Sequence, residues 1–264
     1  MIQMRKICVA NRKGGVGKTT TAVNLAAGLS RKHRKVLLID LDPQASVSQC
    51  LHVNSERNLL EVLRGETLID SCIVSVAKNL DAITSSPELS ELETLLSQGD
   101  TLALSRVLSQ ISGYDYVVID TPPSEGLLLL NALAFASEIV VPTTTDHLGF
   151  IALNEMMSFV QKIQDSGLTS ANVSKVVPTM FDKRISLCSK TLIAMQTEFP
   201  KLVSYPIRAN SKLKEAPVKG MSIFRYAPSS YGAKDYSYLV EEIMASEKTG
   251  AVQSGHASVT GEPA

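Results

Sequence analysis

Eight residues, Lys13-Gly14-Gly15-Val16-Gly17-Lys18-Thr19-Thr20, lie between a short apolar run, Lys6 to Ala10, and a segment of helical period, Thr19 to Ser30. The glycines free the backbone to turn so that successive N–H groups converge, and the following helix adds the positive end of its dipole at the same point. A strand, such a turn and a helix make a cradle for phosphate oxygens. The rest of the chain repeats the alternation. Apolar runs rich in β-branched residues at Val36–Asp40, Tyr116–Asp120, Ile139–Pro142 and Val173–Thr179 read as buried strands. Thr101–Ser112, Gly149–Gln164 and Ile185–Phe199 place apolar residues at the spacing of helices packed on a sheet. Leu80–Ile83 reads as an edge strand and Tyr231–Ala245 as a last helix. The expected fold is α/β: a mostly parallel, doubly wound sheet flanked by helices, of the P-loop NTPase type.

No Pro/Gly/Ser-rich linker divides the 264 residues, so residues 1–245 are expected to form one domain. Residues 246–264 are small, polar and aperiodic, and are expected to be a disordered tail. Asp120 and the pair Asp40 and Asp42 end two of the strand runs, at the edge where ligands bind in open α/β sheets.

In the loop, Lys18 is placed to reach the β- and γ-phosphates and the Thr19 hydroxyl to hold Mg²⁺. The usual pattern G-x-x-x-x-G-K-[ST] has glycine five positions before Gly17; here Arg12 stands there and Lys13 follows. Asp120 fits a water-mediated or second-sphere magnesium ligand. Asp40 and Asp42 read either as site carboxylates or as turn and capping residues. No Asn-Lys-x-Asp string selects guanine, which favours ATP over GTP.

Charge narrows the partners. Lys+Arg 26 balance Asp+Glu 26 over the chain, but eleven basic and three acidic residues lie from Lys175 to Lys234. The four cysteines, Cys8, Cys50, Cys72 and Cys188, and the four histidines are scattered, which nominates no zinc or iron–sulfur site. The longest nearly apolar run, Gly126–Ala136, is well short of the roughly 20 residues of a membrane span. The first ten residues do not make a secretory signal, so a cytosolic location is expected.

Several strings together resemble the ParA/Soj branch of the deviant Walker ATPases: KGGVGKTT at 13–20, IDLDPQ at 39–44, YVVIDTPPS at 116–124, LLLLNALAFASEIVVPT at 127–143, PTMFDKR at 178–184, LKEAP at 213–217 and YAPSSYGAKDY at 226–236. The resemblance spans the chain to about Ala245. It implies an ATPase, slow unless stimulated, in which ATP is bound by Lys13, Gly14, Gly15, Val16, Gly17, Lys18, Thr19 and Thr20. It further implies that Lys13 reaches the partner's nucleotide in an ATP-bound homodimer, with Lys18 and Asp42 as the other catalytic residues and Asp42 orienting the attacking water. Thr19, Asp120 and Asp40 are the implied Mg²⁺ residues.

The same resemblance implies non-specific double-stranded DNA as a ligand, a ParB-type centromere-binding protein as the stimulating partner, and a role in plasmid or chromosome partition in the nucleoid-associated cytoplasm. Arg184, Arg208, Lys212, Lys214, Lys219 and Arg225 are the candidate DNA contacts, with Lys183 nearby. Arg208-Ala209-Asn210 stands where many relatives carry Pro-Arg-Asn, which leaves adenine contacts at that loop open. The chain lacks the N-terminal helix-turn-helix extension of larger relatives, so operator binding is not expected. A MinD-like membrane-associated regulator is the alternative, but residues 251–264 have neither a basic face nor bulky apolar residues.

Overall fold

The computed structural model describes residues 4–91 and 100–253. Seven strands form one sheet: β1 (Arg5–Val9), β2 (Val36–Asp40), β3 (Ile73–Ala77), β4 (Leu80–Ile83), β5 (Tyr116–Asp120), β6 (Glu138–Thr144) and β7 (Asn172–Thr179). Their spatial order is β3-β4-β2-β5-β1-β6-β7. All neighbours pair in parallel except β3, which turns back along β4 through a two-residue hairpin with Asn79 in the left-handed region (φ 62°). The strand expected at the edge, β4, is therefore covered by β3. Half-buried side chains and a short alternation make β3 hard to read from sequence.

Ten α-helices occur among the described residues: α1 (Lys18–Arg31), α2 (Ser46–Leu51), α3 (Leu59–Leu63), α4 (Ala103–Leu108), α5 (Leu127–Phe135), α6 (His147–Asp165), α7 (Ser186–Glu198), α8 (Ser211–Val218), α9 (Ile223–Tyr226) and α10 (Tyr231–Gln253). Every residue of β2 and β5 is buried, as expected of strands covered on both faces. Alternate side chains feed two cores. Ile7, Val9, Val36, Leu38 and Val118 pack with α1, α9 and α10; Cys8, Leu37, Ile39, Val117 and Ile119 pack with α3 to α7.

The last helix runs to Gln253, beyond the expected end at Ala245. A polar clamp holds it. Arg5 donates to the Glu138 carboxylate (2.6 Å), to the Tyr116 hydroxyl (3.1 Å) and to the Ile243 carbonyl (2.7 Å). Glu247 pairs with Arg34 at 2.6 Å and accepts from the Tyr116 hydroxyl. The expected tail at 246–264 is thus helical through Gln253, and residues 254–264 lie outside the described residues.

Three strand ends converge at the C-terminal edge of the sheet. In register, Val9 lies beside Asp120 and Asp120 beside Asp40. The chain leaving β1 therefore enters its glycine-rich turn next to both carboxylates.

Candidate nucleotide-binding site

The turn is built from its own polar residues. Asn11, fully buried, donates from Nδ2 to the Pro142 carbonyl (2.8 Å) and accepts the Lys13 N–H at Oδ1 (2.9 Å), tying the start of the loop to β6. Sequence reasoning passes over Asn11; its signal is a single amide side chain between an apolar strand and the loop. Gly15 (φ 73°) and Gly17 (φ 89°) occupy the left-handed region, and Gly17 leads straight into α1. Gly14 and Gly15 are exposed, Val16 is buried, and Thr19 and Thr20 are half-buried at the first turn of the helix.

Lys18 bends back over the turn, its ammonium donating to the Lys13 carbonyl at 3.1 Å. Burial lowers its pKa, and the negative charges of Asp120 and Asp42 oppose that shift. Asp120 is fully buried, and neither carboxylate oxygen has a hydrogen-bond partner. Burial first, and the Asp40 charge second, push its pKa well above the usual carboxylate range, offset in part by the Lys18 charge and by the Thr19 hydroxyl, which lies nearby without reaching hydrogen-bond geometry. A buried acid lacking partners, beside a threonine at a helix N-terminus, suits a hard cation with oxygen ligands such as Mg²⁺. Among the described residues no group of three or more His, Cys, Asp and Glu side chains is arranged to hold a metal.

Asp40 has a different setting. One of its oxygens accepts the Asp42 N–H (2.9 Å) and the other the Val47 N–H (3.0 Å), so the carboxylate shapes the loop that follows β2. Burial pushes its pKa up to about 7 despite those two donors. Each oxygen accepts one backbone N–H and keeps a second lone pair, so this loop-shaping role is compatible with the expected metal role. Asp42, almost fully buried, accepts the Gln44 N–H at 2.9 Å, an Asx turn that leaves its second oxygen without a backbone donor.

The two basic residues at the loop's start point elsewhere. Arg12 pairs with Glu125 and lies over the Phe159 ring at 5.5 Å. The Lys13 ammonium sits 3.5 Å from both Asp146 Oδ1 and Thr144 Oγ1. Asp146 also caps α6 through the Gly149 N–H (2.8 Å).

Beside Gly17 and Thr20 opens a cavity of about 420 Å³, walled by Met180, Arg208, Ala209, Asn210 and Leu213. The loop that departs from the relatives' Pro-Arg-Asn is thus part of this wall. Arg208 grips the fully buried Asp235 through its Nε (3.0 Å) and backbone N–H (3.0 Å), and its guanidinium stacks on Tyr231 at 4.1 Å. That engagement leaves Arg208 half-buried in the cavity wall.

The other expected contacts divide. Arg184 is 84% exposed yet pairs with Asp182 at 2.6 Å. Lys212 pairs with Glu215 at 2.7 Å, and Glu215 also accepts from the Tyr226 hydroxyl (2.6 Å). Lys214, Lys219 and Arg225 are exposed on α8, α9 and the turn between them, and make no ion pair among the described residues. No helix among the described residues is long and apolar enough to cross a membrane.

Residues 4–174 match the family described as an AAA domain. The chain is 36% identical over 244 residues to the chromosome-partitioning ATPase Soj of Thermus thermophilus, covering 92% of this chain and 96% of Soj. Among solved structures, a plasmid partition protein of Borrelia burgdorferi bound to AMPPNP is similar with a TM-score of 0.81 and 28% identity, over 92% of this chain and 100% of the other. The cobyrinic acid a,c-diamide synthase of Mycobacterium smegmatis, with a bound ATP analogue and magnesium, gives a TM-score of 0.80 at 27% identity, over 94% and 97% of the two chains.

Proposed function

The chain belongs to the ParA/Soj family of partition ATPases, and from that membership we propose an ATP-dependent dimerising switch that binds DNA without sequence preference and drives partition of a plasmid or chromosome region. The observation that carries the reading is the Asp120 carboxylate, buried with both oxygens unpartnered beside the glycine-rich turn. It supports a site that takes the triphosphate of ATP together with Mg²⁺.

The backbone N–H groups from Gly14 to Thr20 cradle the phosphates, and Lys18 moves from the Lys13 carbonyl onto the β- and γ-oxygens. Thr19 and Asp120 would hold Mg²⁺. The metal, when bound, neutralises charge that builds on the phosphate oxygens. Asp42 orients the attacking water from the loop that Asp40 shapes. Lys13 leaves Asp146 to reach the nucleotide of the second protomer. Phosphoryl transfer depends chiefly on positioning and charge stabilisation, so a single chain with Lys13 turned to its own Asp146 hydrolyses slowly. A ParB-type partner completes the stimulated state.

Lys214, Lys219 and Arg225, together with Lys212 and Arg184 once released from their acidic partners, supply the phosphate contacts of a salt-sensitive DNA surface. The working location is the nucleoid-associated cytoplasm. The test is binding of random-sequence duplex DNA without nucleotide, with ADP and with a slowly hydrolysed ATP analogue, at two salt concentrations. Binding only with the analogue, and weaker at high salt, supports the switch. Absence of DNA binding in every state overturns it and favours a MinD-like, membrane-directed cycle.

A further inference from the structure

Thr179 closes β7 in the string Pro178-Thr179-Met180-Phe181, on the far side of the glycine-rich turn from Asp120. The residue is buried, and its hydroxyl lies 2.9 Å from the Val16 carbonyl and 3.1 Å from the Thr143 carbonyl. Its methyl group faces Gly17, 3.8 Å from where a β-carbon would stand there. The residue is itself fixed, because the Thr179 carbonyl accepts both the N–H and the hydroxyl of Thr145 at 3.3 Å. The hydroxyl has one proton, and the shorter contact gives it to the Val16 carbonyl, so this side chain ties the middle of the glycine-rich turn to the end of β7.

We infer that Thr179 is a positioning residue for nucleotide binding: by holding the Val16 carbonyl it fixes the direction of the Gly17 amide that meets phosphate. A trans peptide points its C=O and N–H in opposite directions. Drawing the Val16 carbonyl toward Thr179 turns the Gly17 N–H away from β7. Gly17, in the left-handed region with no β-carbon, offers little resistance to rotation of that peptide on its own. The constraint has to come from outside the turn, and the Thr179 hydroxyl is a donor in place to supply it. The inference rests on the ATPase reading above and names a residue from which that reading is independent.

Thr179→Val keeps the shape and the methyl group and removes only the donor; Thr179→Ser keeps the donor. Binding of fluorescent ADP and of a fluorescent, slowly hydrolysed ATP analogue is measured for both variants, with thermal unfolding in the presence and absence of nucleotide. Thr179→Val is expected to weaken both nucleotides roughly tenfold, the value of about one net hydrogen bond. Thr179→Ser is expected to restore binding to within about twofold. The nucleotide-induced rise in unfolding temperature should shrink in Thr179→Val, a change that a purely structural role would not produce. Wild-type affinity in Thr179→Val, or an equal loss in Thr179→Ser, would overturn the inference. If Thr179→Val does not fold, Thr179→Ala removes the same donor and carries the same expectation. A wild-type chain that binds neither nucleotide would instead overturn the ATPase reading.

Discussion

A β-carbon added to Gly220 would fall 2.6 Å from Cγ of His52 and 2.8 Å from its Nδ1, so the imidazole ring rests directly on the glycine backbone. His52 ends α2, the helix that follows the Asp40 to Gln44 loop; Gly220 follows α8 in the basic stretch. The helix that leaves this loop and the turn after α8 thus share one tight contact. Gly220 also holds φ at +63°, where a side chain is strained.

Gly220→Ala should therefore lower stability by about 1–3 kcal/mol. His52→Ala removes the ring that a β-carbon would strike, and in the double variant part of that loss should return. Urea unfolding of the four proteins gives the coupling, expected at about 1 kcal/mol for residues in contact. A coupling of zero would mean that the strain lies in the Gly220 backbone alone.

Asp120→Asn separates stability from function. A buried carboxylate without a partner is costly, so the neutral amide should stabilise the protein by about 1–2 kcal/mol in the absence of metal and nucleotide. The same change should remove most of the further stabilisation given by Mg²⁺ with an ATP analogue. Denaturant midpoints with and without Mg²⁺ and nucleotide read both effects. An Asp120→Asn variant that keeps the full Mg²⁺-dependent gain would take Asp120 out of the metal site.

Asp42→Ala should leave the loop's anchor intact, since the Asp40 carboxylate holds the backbone N–H groups of Asp42 and Val47 without using the Asp42 side chain. Nucleotide binding is expected to persist while hydrolysis falls by about 100-fold or more, trapping the ATP-bound form. Phosphate release measured with partner and DNA present checks this, and rapid turnover would remove Asp42 from its assigned role.

The glycine-rich turn, the strand ends and the two carboxylates are legible because each sits in a contiguous string with a fixed period. Asn11 and Thr179 are not, because their roles depend on segments more than 100 residues away in sequence. Asp40 and Asp42 look alike in sequence; only the backbone N–H groups meeting each oxygen tell the loop-shaping carboxylate from the freer one. The end of α10 escapes sequence reading for a related reason. Its sequence beyond Ala245 has no apolar period, and the first residues there, Ser246 and Glu247, are held by polar contacts with Arg5 and Arg34.

The basic stretch offers a contrast between charges that hold the fold and charges free for a partner. Arg208 neutralises Asp235, which is fully buried, so Arg208→Ala should cost about 2–3 kcal/mol of stability by leaving that acid unpaired. Its effect on the salt dependence of DNA binding should be negligible. Lys219→Ala with Arg225→Ala removes two exposed cations that pair with nothing among the described residues. That double variant should unfold like the wild type. The slope of log affinity against log salt should fall by about 2, close to one unit for each phosphate that is no longer neutralised. Urea unfolding and DNA titrations at several salt concentrations, run on both proteins, read the contrast. If Arg208→Ala were the variant that flattened the slope, the guanidinium would have to leave Asp235 in the DNA-bound state, and the DNA surface would then extend to the cavity wall beside Gly17.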